Sequence, residues 1–214
     1  MNYSVSSLIT EVRVVLDQNM SSTTLASLGD PDTLSLEEII NSKIEDAARA
    51  VAVQAPLALL GDVTVQLPGT LTIDIAQRPY AHVELPDDFL RLARFRLDGW
   101  PYALYSAEMA DTPLYVQAHS SYNVRGTIDR PLVFLSLRGA GKKVLEVFCE
   151  GCDTLTLGND CLYIKKPTIS SSQITLGEQV KRPTVYHAAY LVALTIQDKD
   201  AAERLLAVSN ELLK

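Results

Sequence analysis

The 214-residue sequence predicts an α+β fold, with helix pairs at both ends of the chain forming a helical bundle and an inserted antiparallel β domain between them. Three observations predict it. Apolar residues recur at helical spacing near both ends, apolar and polar residues alternate in the middle, and turn-forming residues separate the alternating stretches. We expect residues 1–60 and 180–214 to form the bundle, and residues 61–179 to form a small β sandwich or barrel.

The composition excludes several classes of protein. The chain is 47% hydrophobic and 21% charged, which is ordinary for a globular protein. No apolar run approaches the ~20 residues of a membrane helix, and the first residues lack the pattern of a secretory signal, so we expect no membrane association. The net charge of −7 argues against broad nucleic-acid binding, which needs a basic face. Three cysteines without framework spacing fit a reducing compartment.

An apolar stripe at helical spacing predicts the first helix from about residue 4 to residue 19. Its apolar residues are Val5, Leu8, Ile9, Val12, Val15 and Leu16. Residues 20–33 are rich in Ser, Thr, Gly and Pro, which is typical of a loop, and residues 29–32 carry the signal of a turn. The first helix is therefore expected to reach the second through a polar connection.

The second helix has the clearest boundaries in the sequence. Ser35 is followed three residues later by Glu38, and this spacing predicts a capping box at the helix start. Glu45 and Arg49 lie one turn apart on its polar face, where they can form an ion pair. Pro56 cannot continue the helix and predicts its end.

Alternation of apolar and polar residues predicts the first strands. We expect residues 63–67 and 71–75 to form a hairpin around the loop at residues 68–70, because a three-residue loop containing Gly is typical of such a turn. The same alternation at residues 81–85 predicts a third strand. The β domain would then begin with a local strand pair.

The segment Leu85-Pro86-Asp87-Asp88-Phe89 predicts a corner between two strands. Pro86 lacks the N–H that a sheet ladder requires and keeps the preceding residue extended. Asp87 and Asp88 can accept hydrogen bonds from nearby backbone N–H groups, as carboxylates do in turns. Phe89 supplies the apolar anchor of the next strand, which we expect to continue to Leu97.

The rest of the β region is less uniform. Residues 102–118 fit neither period clearly and could contain helical turns at 106–110 and 114–119. Residues 132–137 and 142–148 predict a hairpin with a glycine-containing turn. Further short strands are expected at residues 154–157 and 162–165, and residues 120–130 are expected to form a loop.

Two helices are predicted to close the chain. Pro183 is expected to open the third helix, because a proline in the first turn forfeits no hydrogen bond. Residues 185–196 are apolar nearly all round, which predicts a central, buried helix. Residues 198–200 interrupt the pattern, and Asp200 with Glu203 predicts a capping box at the start of the last helix.

The glycines beside Lys142 and Lys143 resemble a phosphate-binding loop only in part. A Walker A loop needs a glycine where this chain has Ser136, and a Ser or Thr where it has Lys143. It also needs a following helix, whereas a strand pattern follows here. We expect a hairpin turn.

Cys149 and Cys152, with Cys161 nearby in sequence, could ligate zinc. Together with His82 and Glu84 they would form a deaminase-like hydrolase site, in which the His and two Cys hold the metal and the Glu transfers protons. However, these residues lie on strand or turn patterns, whereas deaminase motifs open helices. The alternative is that Cys149 is a packed strand residue.

Two other groups of residues have simpler explanations. His187 lies in an apolar helix and is expected to be a hydrogen-bonded core residue. A basic stripe is formed by Arg91, Arg94 and Arg96. The charges of such side chains are ordinarily solvated or paired in salt bridges. They could instead contact a phosphate backbone or an acidic neighbouring subunit. We assign no catalytic, cofactor-binding or metal-ligating residue.

Seven segments, spread in order over most of the chain, together resemble the pattern of a known family. The segments are residues 32–40, 47–56, 85–89, 130–131, 145–148, 163–167 and 188–193. In this order they resemble the head-to-tail connector, or adaptor, proteins of tailed double-stranded-DNA phages. The cysteines are not part of the resemblance.

The resemblance implies a virion structural protein that is not an enzyme, needs no cofactor and is assembled in the host cytoplasm. Such proteins form a closed ring, usually twelvefold, between the portal protein and a tail or second ring protein. Double-stranded DNA passes through the lumen without specific binding. The alternatives are the zinc-dependent deaminase-like hydrolase and a non-virion β-domain binding module. Bound metal would distinguish the first, and a stable monomer that ignores the portal protein would distinguish the second.

Overall fold

The computed structural model describes residues 1–16, 35–74, 80–120, 124, 126–127, 129–149 and 156–214. The α-helices are α1 (Val5–Val15), α2 (Leu36–Gln54), α3 (Pro113–Ser120), α4 (Glu178–Thr195) and α5 (Lys199–Glu211), with 3-10 helices at Leu57–Val63 and Gly139–Gly141. The strands are β1 (Asn2–Ser4), β2 (Thr64–Gln66), β3 (Thr72–Asp74), β4 (Tyr80–Glu84), β5 (Phe89–Arg94), β6 (Glu108–Met109), β7 (Gly126–Thr127), β8 (Arg130–Arg138), β9 (Lys142–Phe148), β10 (Leu162–Lys165), β11 (Ile169–Ser170) and β12 (Gln173–Thr175). The predicted α+β class is confirmed.

The chain divides into two compact units. The terminal unit comprises Met1–Val63 and Lys166–Lys214, and the central unit comprises Thr64–Lys165. Residues 166–179, which the sequence pattern assigned to the β domain, lie in the terminal unit. They include β11 and β12, which form a three-stranded sheet with β1 in the order β1-β12-β11.

Helices α1 and α2 both begin at a serine that caps the helix. The Ser4 hydroxyl accepts a hydrogen bond from the Ser7 N–H at 3.2 Å and caps α1. The predicted capping box of α2 is present: Ser35 Oγ accepts from the Glu38 N–H at 3.3 Å, and the Glu38 carboxylate accepts from the Ser35 N–H at 2.7 Å. Helix α1 ends at Val15, before the predicted end, and residues 17–34 with their expected loop lie outside the described residues.

Helix α4 is the centre of the terminal unit and packs against α1, α2 and α5. Its apolar core residues are Val180, Val185, Ala188, Ala189, Val192 and Ala193. The prediction that Pro183 opens this helix is wrong. The helix begins at Glu178, whose N–H donates to the Asp62 carboxylate at 3.1 Å, and Pro183 lies within the helix. The start is thus set by a carboxylate distant in sequence.

The start of α5 also differs from the prediction. The cap is Asp198 rather than Asp200, and its carboxylate accepts a hydrogen bond from the Ala201 N–H at 3.0 Å.

Glu45 and Arg49 form the predicted ion pair on α2. Both also bind the chain before and within β11, because Arg49 donates to the Pro167 carbonyl at 3.3 Å and Glu45 accepts from the Ile169 N–H at 3.0 Å. The polar face of α2 therefore holds the edge of the small sheet.

Within its described residues, the central unit forms two sheets. One has the order β2-β10-β5, and the larger has the order β3-β4-β9-β8-β6, with β7 also paired to β8. All pairings are antiparallel except that of β6 with β8. The buried apolar residues between these strands include Val83, Phe89, Phe95, Leu97, Trp100, Leu145, Val147 and Tyr163. The glycine-containing turn joins β8 to β9, which confirms the predicted hairpin.

The predicted hairpin of residues 63–67 and 71–75 is wrong. Strand β2 pairs with β10, and β3 pairs with β4, so the two strands belong to different sheets. The segment after β2 continues along β10 instead of turning back, because the Leu67 N–H donates to the Cys161 carbonyl at 2.8 Å. Gly69, in the connection to β3, adopts φ +115°. Long-range pairing with β10 replaces the local pairing. Residues 75–79 lie outside the described residues.

The ambiguous region resolves into β6 and α3. Pro113 is the first residue of α3, where its missing N–H costs no helical hydrogen bond. The helix buries Ala118 against Phe134 and Phe148 on one face of the larger sheet. Gly126–Thr127 pairs with β8 inside the region expected to be a loop. The predicted strand at residues 154–157 is present only as an isolated bridge of Leu157 to Leu97 among the described residues.

Candidate functional site

A buried polar site of the central unit is centred on Glu146 in β9. Glu146 is 2% exposed. Its carboxylate accepts hydrogen bonds from Ser136 Oγ at 2.7 Å, Tyr115 Oη at 3.0 Å and Arg138 Nε at 3.2 Å. His119 Nε2 lies 3.4 Å from the same carboxylate. We call these five residues the Glu146 cluster.

The alternation of β9 places Glu146 on the side of the sheet that α3 covers. Leu145 and Val147 lie opposite Val83 and Ala81 of β4 and face the main apolar core. Successive side chains of a strand point to opposite faces, so Glu146 faces α3. Tyr115 and His119 are one helical turn apart on α3 and both reach the carboxylate from above the sheet.

Arg138 links the cluster to β4. Besides Glu146, its guanidinium donates to the Tyr80 hydroxyl, and Nη1 lies 3.3–3.4 Å from the His82 ring nitrogens. Arg138 therefore connects side chains of β4, β8 and β9 across the sheet. Such charge-assisted contacts are stronger than neutral hydrogen bonds.

Aromatic rings enclose the cluster. Phe148 stacks on Tyr80 with ring centroids 5.1 Å apart and meets the edge of His119 at 4.8 Å. Tyr115 packs edge-on against His119 at 4.6 Å and against Phe134 at 5.3 Å. These rings limit the access of water to Glu146, and they hold the polar groups of α3 in position over the sheet.

The electrostatics of the cluster favour an ionised Glu146. Burial by itself would raise the pKa of Glu146, but hydrogen bonds from Ser136, Tyr115 and Arg138, together with the charge of Arg138, lower the pKa below its ordinary value. Burial and the hydrogen bond to Glu146 raise the pKa of Tyr115 to about 12. A general base instead needs a pKa near the working pH and a lone pair directed at its substrate. The cluster therefore has the properties of an anchor for α3.

The structure does not bring the proposed zinc ligands together. His82 lies on the face of the larger sheet that carries the Glu146 cluster, whereas Cys149 is part of the main apolar core on the opposite face. Cys149 is also disulfide-bonded, which contradicts the expectation of reduced cysteines, and zinc binds the free thiolate. Glu84 forms a surface ion pair with Lys142 at 3.0 Å. The deaminase-like arrangement is therefore not formed by the residues that the structure describes.

The remaining cysteines do not restore a metal site. Cys152 lies outside the described residues. Cys161 is buried, and its thiol donates to the Arg96 carbonyl at 3.0 Å. Burial raises the pKa of the Cys161 thiol, which keeps it protonated. Across the described ranges, His, Cys, Asp and Glu side chains form no group of three or more suited to a metal ion.

The basic stripe is mostly neutralised within the central unit. Arg94 and Arg96 both contact Oδ2 of Asp160, at 3.0 and 3.2 Å. Burial lowers the pKa of Arg91 from its ordinary value.

At the predicted corner of residues 85–89, the Phe89 N–H donates to the Pro86 carbonyl at 2.9 Å, which confirms the turn.

The carboxylate of Asp88 binds side chains of β10. Asp88 accepts from the Tyr163 hydroxyl at 2.9 Å and forms an ion pair with Lys165 at 3.1 Å. The sequence pattern had assigned both aspartates to nearby backbone N–H groups. Asp88 instead joins the corner to β10, and Asp87 is exposed.

His187 is buried in α4 as predicted, but its hydrogen bonding differs from the prediction. Its Nδ1 atom is buried and has no hydrogen-bond partner in the described part of the chain. The ring packs edge-on against Tyr190 with centroids 5.2 Å apart. Burial lowers the pKa of His187. The residue is therefore held neutral inside the terminal unit.

A groove of about 410 Å³ lies between α1 and α4 of the terminal unit. Val14, Val15 and Val185 are its aliphatic lining residues, and Glu11 and Arg182 are among its charged ones. We call it the α1–α4 groove. Its shape results from the packing of two helices distant in sequence, so no local motif indicated it.

The sequence signal for the Glu146 cluster was a single acidic residue within the otherwise apolar run of β9.

Comparison of the chain with protein-family models finds no match, and no curated protein is significantly similar to it. None of the described helices has the length and apolar character needed to cross a membrane.

Proposed function

We propose that the chain is a virion structural protein: a head-to-tail connector, or adaptor, that forms a ring between the portal protein and the tail. In this proposal the helix pairs of the chain ends form a bundle that contacts the portal protein and neighbouring subunits. The β domain is inserted in the bundle and faces the tail or a second ring protein. Double-stranded DNA passes through the lumen, and the protein catalyses no reaction.

The observation that carries the proposal is the set of aliphatic side chains that the long helices of the terminal unit leave exposed. Val14 of α1 is 59% exposed, Val53 of α2 is 51% exposed, and Leu194 of α4 is 44% exposed. Contiguous exposed apolar surface is typical of sites that other subunits cover, and Val14 forms such a surface with Val15 and Val185 in the α1–α4 groove. These side chains support a role in assembly.

The central unit supports the role of an inserted domain. Its first strand, β2, and its last strand, β10, are antiparallel neighbours, with Thr64 opposite Ile164. The two ends of the segment therefore leave the sheet side by side, as the ends of an inserted domain do. Such a segment can interrupt another unit without separating its parts.

The charges suit a DNA conduit. The protein has a net charge of −7, so its surface as a whole repels a phosphate backbone. Arg94 and Arg96 share Asp160, which reduces their attraction for phosphate. A conduit that bound DNA tightly would slow its passage, whereas this balance favours weak, non-specific contact.

A β-domain binding module is the second candidate, and it has its own supporting observation. The central unit exposes Tyr102, Tyr105, Met109 and Leu137, of which Leu137 is 72% exposed. Aromatic residues and Met are enriched in protein interfaces. In the connector proposal the same side chains would contact the tail protein, so the presence of portal binding distinguishes the two candidates.

Native mass spectrometry of the purified protein, alone and with portal protein, tests the proposal. We expect a closed ring of about a dozen subunits, either free or formed only on the portal, because heterologous contacts that close give cyclic symmetry. A protein that stays monomeric in the presence of portal protein would contradict the connector and favour the binding module. A monomer with one bound zinc ion would favour the hydrolase.

A further inference from the structure

The terminal unit carries an exposed corner between α4 and α5, at residues 194–200, which we call the α4–α5 corner. Leu194 is 44% and Ile196 is 41% exposed. Asp198 and Asp200 follow directly and are exposed. The corner therefore presents two aliphatic side chains beside two carboxylates and the ammonium group of Lys199, with a net charge of −1.

The backbone holds the α4–α5 corner in one conformation. The Asp198 N–H donates to the Ala193 carbonyl at 2.9 Å, and the Gln197 N–H donates to the Leu194 carbonyl at 3.2 Å. Gln197 adopts φ +64°, in the left-handed region that turns the chain sharply. A preorganised corner loses little conformational entropy when it docks, which favours binding.

The α1–α4 groove has the complementary properties. Its walls are aliphatic, and its charged lining residues are Glu11, Lys181 and Arg182, which sum to one positive charge. Lys181 is engaged by Glu11 at 2.6 Å, whereas Arg182 is exposed with its guanidinium 5.9 Å from the Tyr186 ring centroid. The groove thus offers an apolar floor and an exposed guanidinium to a partner that has aliphatic and acidic groups.

The two surfaces lie at different positions along α4. Arg182 is near the start of the helix and Leu194 is near its end. With a rise of 1.5 Å per residue, they are about 18 Å apart along the helix axis. One neighbouring copy would fill the groove while another would receive the corner. Such a contact is heterologous, and repeated contacts of this kind form rings when the rotation closes.

We propose that the α4–α5 corner of one copy docks in the α1–α4 groove of the next copy. Leu194 and Ile196 enter the apolar groove, and Asp200 approaches Arg182. This inference rests on the proposed function, which requires a ring, and names the surfaces that build it. Asp198 caps α5 and keeps that role, so Asp200 is the carboxylate that is free to turn to a partner.

Cysteine cross-linking tests the contact directly. We would prepare Val14→Cys, Ile196→Cys and the double variant, and oxidise each at high protein concentration, with the unsubstituted protein as the background control. The expected result is a ladder of cross-linked oligomers from the double variant, a single dimer band from the mixed single variants, and no added band from either single variant alone.

Other outcomes overturn the proposal in distinguishable ways. Dimers of either single variant alone would show a symmetric contact, and the absence of cross-links in the mixture and the double variant would show that the surfaces do not meet. A ring in native mass spectrometry without a ladder would reject the docking but keep the connector. A ladder from open filaments that ignore the portal would keep the docking and reject the connector.

Charge reversal provides a second test that leaves the apolar contact intact. Arg182→Glu and Asp200→Arg should each weaken self-association by about two- to fivefold, as the loss of an exposed ion pair does. The combination in one chain should restore association, because the pair is re-formed with opposite signs. Arg130→Glu is the matched control, at an exposed site of the central unit that belongs to neither surface. Failure of the combination to restore association would overturn the pairing of Arg182 with Asp200.

Discussion

Glu146 shows how a single buried charge can organise its surroundings. It is enclosed by a sheet on one side and α3 on the other, and donors from both reach its carboxylate. A buried ion pair contributes little net stability compared with an apolar replacement, because both charges lose their hydration. Removing one partner is costly, since the other charge stays desolvated. The cluster therefore specifies one position of α3 rather than adding much to stability.

Glu146→Gln should destabilise the protein by about 2–3 kcal/mol, because it removes the charged acceptor that Ser136, Tyr115 and Arg138 share at a fully buried position. The measurement is urea unfolding followed by circular dichroism. Glu84→Gln is the matched control: it makes the same chemical change at an exposed ion pair with Lys142, and should alter stability by less than about 0.5 kcal/mol. Equal effects of the two substitutions would contradict the anchoring role of Glu146.

His187 predicts a pH dependence in the terminal unit. Burial lowers its pKa in the folded state below the ordinary value of 6.5. Just below pH 6.5 the unfolded chain therefore binds a proton that the folded chain does not. The resulting stability is fully present above the unfolded pKa and is lost as the pH falls through it towards the folded pKa.

The free energy of unfolding, measured from about pH 5 to pH 7, should fall towards acid with a slope that His187→Leu reduces. The largest reduction expected is about 1.4 kcal/mol per pH unit, the value for one proton. The unsubstituted protein measured in the same buffers is the control. If both proteins show the same slope, titration of His187 does not limit acid stability.

At the scale of elements, local signals predicted well where the structure is local. The capping box at Ser35 marked the start of α2, and the β8–β9 hairpin formed around its glycine-containing turn. The hairpin of β2 with β3 failed because β2 pairs with β10, which is distant in sequence. Pattern analysis of a short segment contains no information about such a partner.

The helices show the same limit. Pro183 carried a local signal for a helix start, but Asp62 sets the start of α4 from a separate part of the chain. Helix α3 was ambiguous because it buries little apolar surface, with Ala118 as its buried residue. The Glu146 cluster draws on α3, β8 and β9, so no spacing motif could have indicated it. An acidic residue within a buried strand was the only local sign.

At the scale of the whole molecule, the chain ends and the middle segment have separate tasks in the proposed connector. The terminal unit carries the exposed aliphatic surfaces and both members of the proposed docking contact. The central unit carries the Glu146 cluster and exposed aromatic residues. If the central unit is an inserted domain, it holds its own fold whether or not the terminal unit assembles.

Residues 64–165 should therefore fold when expressed alone. Their ends pair in neighbouring strands, and Trp100 lies in an apolar core formed by residues of the same segment. We expect a cooperative urea transition, followed by circular dichroism and by the fluorescence of Trp100. The matched control is the fragment of residues 71–165, which lacks β2 and leaves one edge of β10 unpaired. This fragment should be less stable than residues 64–165 by several kcal/mol, because it loses the hydrogen bonds between β2 and β10 and also the buried side chain of Leu67. An unfolded 64–165 fragment beside a folded full-length chain would mean that the central unit depends on the terminal unit, and the inserted-domain architecture would have to be abandoned.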